Sequence, residues 1–173
     1  MIYKRRLLLI NSVCGIGSTG KICADLAERY EKRGVEVKIA YGRNRLEEIP
    51  EAVRKYAVRI GEKRDLYVHL LVTRAFDRHG LASTTATREF LRWAEDFHPD
   101  ILWLHNLHGY YIHYELLFDW IKRHPEMEVR LSRQGSCKYL TTESVDKFDE
   151  AAHLFMNEKI VDVSKISLPE AGA

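Results

Sequence analysis

The segment Cys14-Gly15-Ile16-Gly17-Ser18-Thr19-Gly20-Lys21 gathers three glycines and two hydroxyl residues between an apolar run and an amphipathic stretch. Glycine at Gly15, Gly17 and Gly20 lets the backbone turn with positive φ and approach a bulky group with no Cβ in the way. A helix opening from such a loop directs unpaired N–H groups and the positive end of its dipole at one point, so the chemistry on offer is anion binding, above all of phosphate. The anion-binding residues are therefore expected to be Gly15, Ile16, Gly17, Ser18, Thr19 and Gly20. A loop that merely turns tightly would use the same glycines.

Two ligand classes can be weighed directly on the residues. Gly15, Gly17 and Gly20 satisfy G-x-G-x-x-G, the dinucleotide fingerprint. The acidic residue that would hold an NAD ribose is missing, because Tyr41-Gly42 stands at the end of the second strand; an NADP reading survives through Arg43 and Arg45. Gly15, Gly20 and Lys21 also spell most of a Walker A loop, but Ile22 replaces the magnesium-binding Ser or Thr. The apolar run 101–104 ends in His105 rather than Asp. An NTPase would lack its metal ligands.

A second polar cluster, His105-Asn106-Leu107-His108-Gly109-Tyr110-Tyr111, could hydrogen-bond a sugar or a phosphate and offer it an aromatic face. His105, Asn106, His108 and Tyr110 are its pocket candidates, with Arg43 as a cation near them. His105 and His108 could equally pack the loop, and Tyr111 could seat the next helix. His105, His108 and His113 match no zinc spacing, so no metal site is expected. No catalytic residue can be named.

The elements that would position these residues alternate. Leu7-Leu-Leu-Ile-Asn11 reads as a strand buried on both faces, residues 20–32 as a helix closed by Gly34, and residues 35–41 as a second strand. A polar loop, 42–51, leads to a short strand at 56–60. Helices follow at 62–78 and 84–97, the latter capped by Ser83 and ended by Pro99. Then come a strand at 101–105, a helix at 114–123 and a strand at 128–131. This order predicts a single α/β domain, a doubly wound Rossmann-like parallel sheet over residues 1–131, with both polar loops at its ligand-binding carboxyl edge. Trp93, Trp103 and Trp120 fall on buried stripes. Residues 132–173 form a divergent segment with one amphipathic helix at 144–160.

The chain has 27 Lys plus Arg against 25 Asp plus Glu, too even a balance to argue for nucleic acid. Cys14, Cys23 and Cys137 lack paired spacing, and the apolar run 7–10 is too short to span a membrane. A cytoplasmic protein is expected, with no transmembrane segment; Lys4, Arg5 and Arg6 could still touch the inner face of an anionic membrane.

Four motifs in order, Asn11-Ser-Val-Cys-Gly-Ile-Gly-Ser-Thr-Gly20, Ile39-Ala-Tyr-Gly-Arg43, His79-Gly-Leu-Ala-Ser83 and Leu104-His-Asn-Leu-His-Gly-Tyr-Tyr-Ile112, resemble the N-terminal domain of family 4 glycosyltransferases. These are GT-B enzymes with two Rossmann-like halves. The resemblance covers about residues 1–129 and implies transfer of a sugar from a nucleoside diphosphate sugar to a polysaccharide or lipid-linked saccharide acceptor, with retention and without a cofactor. It implies that the glycine loop approaches the donor diphosphate and that this half shapes the acceptor side. The resemblance ends at 130–133, before the family's nucleotide-binding half, so the domain is expected to be inactive alone. The alternatives are an NADP-dependent oxidoreductase domain and a non-enzymatic phospho-ligand-binding domain.

Overall fold

The computed structural model describes residues 4–62 and 83–132. Five strands form one all-parallel sheet: β1 (Arg6–Ile10), β2 (Glu36–Tyr41), β3 (Ala57–Arg59), β4 (Ile101–Leu104) and β5 (Glu128–Leu131). Their order is β3-β2-β1-β4-β5. Parallel strands need crossovers, and here these include α1 (Gly17–Glu31), the one-turn α2 (Glu51–Arg54), α3 (Thr84–Phe97) and α4 (Tyr114–Lys122). The domain is thus an α/β Rossmann-like fold, as the alternation of patterns predicts.

β1 is central because it has no polar face. Leu7, Leu8, Leu9 and Ile10 are each fully buried, and each such side chain contributes roughly 1.5–3 kcal/mol relative to exposure. Leu7 and Leu9 join Val37, Ile39, Ile101 and Trp103 under the α1 residues Cys23, Ala27 and Tyr30. Leu8 and Ile10 join Ala40, Leu102 and Leu104 under Phe90, Leu91 and Ala94 of α3 and Leu117, Trp120 and Ile121 of α4. Both faces are covered, which is why the strand carries no alternation.

Several boundaries differ from the pattern. The helix expected from residue 20 opens at Gly17, so Gly17, Ser18 and Thr19 form its first turn. The loop after β2 contains a 3₁₀ turn, Leu46–Glu48, and then α2. Ser83 stands at the N-cap of α3 with φ of 62° and makes no capping bond; its hydroxyl donates instead to the Tyr110 carbonyl at 3.4 Å. The expected helices at 62–78 and 144–160, the 79–83 motif apart from Ser83, and Cys137 lie outside the described residues.

At the amino edge of the sheet, Arg6 is tied down: its guanidinium donates to the Phe97 carbonyl at 2.9 Å and lies 3.9 Å from Glu36. Any surface role of the basic run must rest on its neighbours, at the end of the sheet opposite the glycine loop. Among the described residues, no helix is long and apolar enough to cross a membrane.

Candidate functional site

The strand order reverses between β1 and β4, and open α/β sheets bind ligands at the carboxyl edge of such a switch point. The glycine loop follows β1 and the histidine-bearing loop follows β4, so the topology brings the two predicted clusters to one place. Each loop glycine has its own physical reason. Gly15 turns the chain with φ of +70°, and a Cβ there would strike Pro50 Cδ at 2.8 Å. Gly20 lets the first turn of α1 sit on the loop, because a Cβ there would come within 3.1–3.2 Å of Val13 and the Gly15 nitrogen. Gly17, with φ of +63°, has no atom within 4 Å of a would-be Cβ. These are the tight turn, the close packing and the open approach that a diphosphate-binding loop needs.

The N-terminus of α1 has no side-chain cap. Ile16 at the N-cap offers no side-chain acceptor, and the first turn holds no acidic residue. Ser18 is exposed and Thr19 half-buried. The unpaired N–H groups of this turn carry the positive end of the helix dipole.

Two asparagines, absent from the predicted site, hold the loop in shape. Asn11 is fully buried at the end of β1. Its Nδ2 donates to the Val13 carbonyl at 2.7 Å and to Thr19 Oγ1 at 3.3 Å, while its Oδ1 accepts the Asn106 N–H at 3.2 Å. One side chain therefore joins the glycine loop, the first turn of α1 and the loop after β4. Asn44 accepts the Cys14 N–H at 3.0 Å and donates to the Cys14 carbonyl at 3.2 Å, satisfying both backbone groups of a buried loop residue. Cys14 and Cys23 are buried free thiols, and burial pushes the Cys14 thiol up to about 12.

The loop after β4 is closed around itself. The Asn106 carbonyl accepts the Tyr111 hydroxyl at 2.7 Å, and Asn106 Oδ1 accepts the His108 N–H at 2.9 Å. Tyr111 is core: it is buried, and a Cβ on Gly42 would lie 2.2 Å from its Cβ and 2.5 Å from its ring. That contact gives a packing reason for Tyr41-Gly42 at the position where a dinucleotide fold keeps an acid. Arg43 is exposed and its stem crosses Gly109, whose Cβ would lie 2.5 Å from Arg43 Cδ. His108 is exposed and Tyr110 half-buried with φ of 62°. The loop that carries Asn106, His108 and Tyr110 thus meets Arg43 at Gly109 and is joined to the glycine loop through Asn11.

His105 differs from the others in being buried. Its N–H donates to the Ile10 carbonyl at 2.9 Å, and its ring stacks on Trp103 with centroids 5.2 Å apart. Nδ1 lies 3.0 Å from Ser132 Oγ, which also accepts the Trp103 Nε1–H at 3.0 Å. Desolvation pulls its pKa down to about 4, so the ring is neutral at ordinary pH. Among the described residues, the buried Nε2 has no hydrogen-bond partner. Ser132, expected in the divergent segment, is a neighbour of His105 that the sequence did not reveal.

Among the described residues, no three His, Cys, Asp or Glu side chains converge to hold a metal ion. What remains chemically is a set of fixed N–H donors around an open glycine, bordered by an imidazole, an amide and an arginine. No protein-family model, curated protein or solved structure matches this chain.

Proposed function

We propose that this domain is the acceptor-side half of a glycosyltransferase that uses a nucleoside diphosphate sugar. The observation that carries the reading is Asn11, which ties a loop with the three glycine roles of a diphosphate site to a polar, aromatic loop suited to a saccharide. Backbone donors and the α1 dipole would stabilise the leaving diphosphate as its charge grows. The loop after β4, with Asn106, His108 and Tyr110, would face the sugar or acceptor. On this reading the domain supplies one side of the site, and transfer needs donor and acceptor held together.

Two details weigh against the other readings. Arg43 extends over Gly109, toward the switch point, rather than standing clear beside β2 for a 2′-phosphate. The helix opens at Gly17, before Gly20-Lys21, so the loop is shorter than the phosphate cradle an NTPase builds. Calorimetry of the full chain with UDP-glucose, a GDP-sugar, NADPH, ATP and inorganic pyrophosphate tests the reading. Preference for a nucleotide sugar is expected. Preference for NADPH or ATP refutes it, and equal affinity for pyrophosphate favours a non-enzymatic phospho-ligand domain.

A further inference from the structure

The chain has 25 Asp and Glu, yet none lies in residues 11–24, 42–46 or 105–114, the segments that follow β1, β2 and β4 at the carboxyl edge. Those segments hold Lys21, Arg43, Arg45, His105, His108 and His113 instead. The first acids beyond them on the β2 side are Glu47, which is exposed, and Glu48, which accepts the Arg45 N–H at 2.9 Å. An edge without carboxylates, in a chain whose overall charge is nearly balanced, favours anions over neutral ligands. The N-terminus of α1 accounts for one anion.

Arg43 is placed for a second. Its N–H donates to the Ser12 carbonyl at 2.9 Å, and the next residue, Asn44, bonds both backbone groups of Cys14, so this stretch is fastened to the glycine loop. Its stem rests on the other loop: a Cβ on the buried Gly109 would lie 2.5 Å from Cδ, 3.3 Å from Cγ and 3.4 Å from Nε. That loop is braced in turn by Tyr111 and Tyr114, whose hydroxyls donate to the Asn106 and Leu107 carbonyls at 2.7 and 3.1 Å. The residue is nevertheless exposed, and among the described residues its guanidinium makes no hydrogen bond or ion pair. An ordinary surface arginine gives up rotamer freedom when it grips an anion; the packing of this stem has already removed part of it, so binding costs less.

We propose that Arg43 receives an acid group of the acceptor, so that the acceptor is an anionic saccharide, bearing a carboxylate or a phosphate, rather than a neutral one. This rests on the transferase reading above, which gives the loop after β4 to the acceptor; the stem of Arg43 lies on that loop, at Gly109. Carboxylate and phosphate share the chemistry that matters, two oxygens that a guanidinium can grip in parallel. No acid in the three segments competes for the cation or repels the incoming group.

¹H–¹⁵N spectra of the ¹⁵N-labelled full chain, read at the Arg43 Nε–H and at the Gly17, Ser18 and Gly109 amides, test this with glucuronate, glucose 1-phosphate, glucose and inorganic pyrophosphate. Either acid sugar should move Arg43 and Gly109, even with the chain saturated in pyrophosphate, and the tighter of the two identifies the acid group. Glucose should leave both in place. Arg43→Gln should melt as the parent does, because its head loses no bond, and should bind the acid sugars about fivefold more weakly, the upper end for an exposed ion pair. Its Gly17 and Ser18 amides should still respond to pyrophosphate as in the parent. An Arg43 that ignores both acids, an equal response to glucose, displacement of the acid sugar by pyrophosphate, or a matching loss of pyrophosphate affinity in Arg43→Gln overturns the proposal and leaves the diphosphate reading standing. Gly17 and Ser18 amides that ignore pyrophosphate refute the diphosphate reading, and this inference with it.

Discussion

Replacing Asn11 by alanine separates the two halves of the site, and the cost can be worked from its bonds. The substitution strips the Val13 carbonyl of a 2.7 Å donor and the Asn106 N–H of its acceptor at 3.2 Å, in a residue with no solvent exposure. Orphaning a buried backbone group costs about 1–3 kcal/mol, and both of these bonds are part-buried. The contact to Thr19 Oγ1, long at 3.3 Å, adds little. Because one of the two main bonds is also long, the lower part of the range applies, and Asn11→Ala should lose about 3 kcal/mol of stability. For a chain of this size that is a fall in Tm of roughly 6–12 °C, leaving the domain folded.

Urea unfolding gives the loss, and amide hydrogen exchange locates it. Protection of the Asn106 N–H should collapse in Asn11→Ala while the β1 amides follow only the global change. Asn11→Asp is the informative companion. It keeps the acceptor for Asn106, loses the donor to Val13 and sets a carboxylate against a carbonyl oxygen. It should therefore be as destabilised, yet with the Asn106 amide still protected. A loss below about 1 kcal/mol in Asn11→Ala, the size of an ordinary surface change, with Asn106 protection intact would refute the bridging role.

Two further substitutions probe the surroundings. Gly42→Ala drives a methyl group into the Tyr111 ring and should cost about 1–3 kcal/mol or more in a thermal melt, against a neutral outcome if the loop can shift aside. For His105, the folded pKa of about 4 lies below the ordinary 6.5, so the unfolded chain takes up the proton first. Its contribution is whole above pH 6.5 and is lost as pH falls toward 4, by about 2 kcal/mol at pH 5. Urea midpoints at pH 7 and pH 5 should converge in His105→Gln; an unchanged acid loss would show that other groups cause it.

How much of this was legible in the sequence depended on how local the cause was. The four apolar residues of β1 and the apolar stripe of α3 at 84–97 are repeated signals, and both appear where the pattern puts them. The start of α1 is not such a signal. Gly17, Ser18 and Thr19 have no core face to write into the periodicity, so apolar spacing places the start of the helix at Gly20, three residues late. Asn11 and Asn44 were missed for a different reason. An asparagine that pairs with backbone 30 or 95 residues away has the same local appearance as one in a solvated turn. Ser83 shows the converse: a residue type that commonly caps helices sits at the N-cap position, but its hydroxyl has gone to Tyr110 across the site.

The glycines finally separate structure from function. Gly15, Gly20, Gly42 and Gly109 each have a neighbour that a Cβ would strike or crowd, so packing alone accounts for them. Gly17 has none. Its surroundings are empty, and only its φ of +63° disfavours a side chain, at about 1–2 kcal/mol. Gly17→Ala should therefore fold with a modest loss, while its methyl group fills the space through which, on the proposed reading, a diphosphate would reach the first turn of α1. UDP-glucose affinity should fall by far more than stability does, measured by calorimetry and thermal melt on the same preparation. Gly20→Ala should show the reverse ranking, because its methyl group meets Val13 and Gly15 rather than the ligand. If Gly17→Ala binds as the parent does, the open glycine is a turn and nothing more.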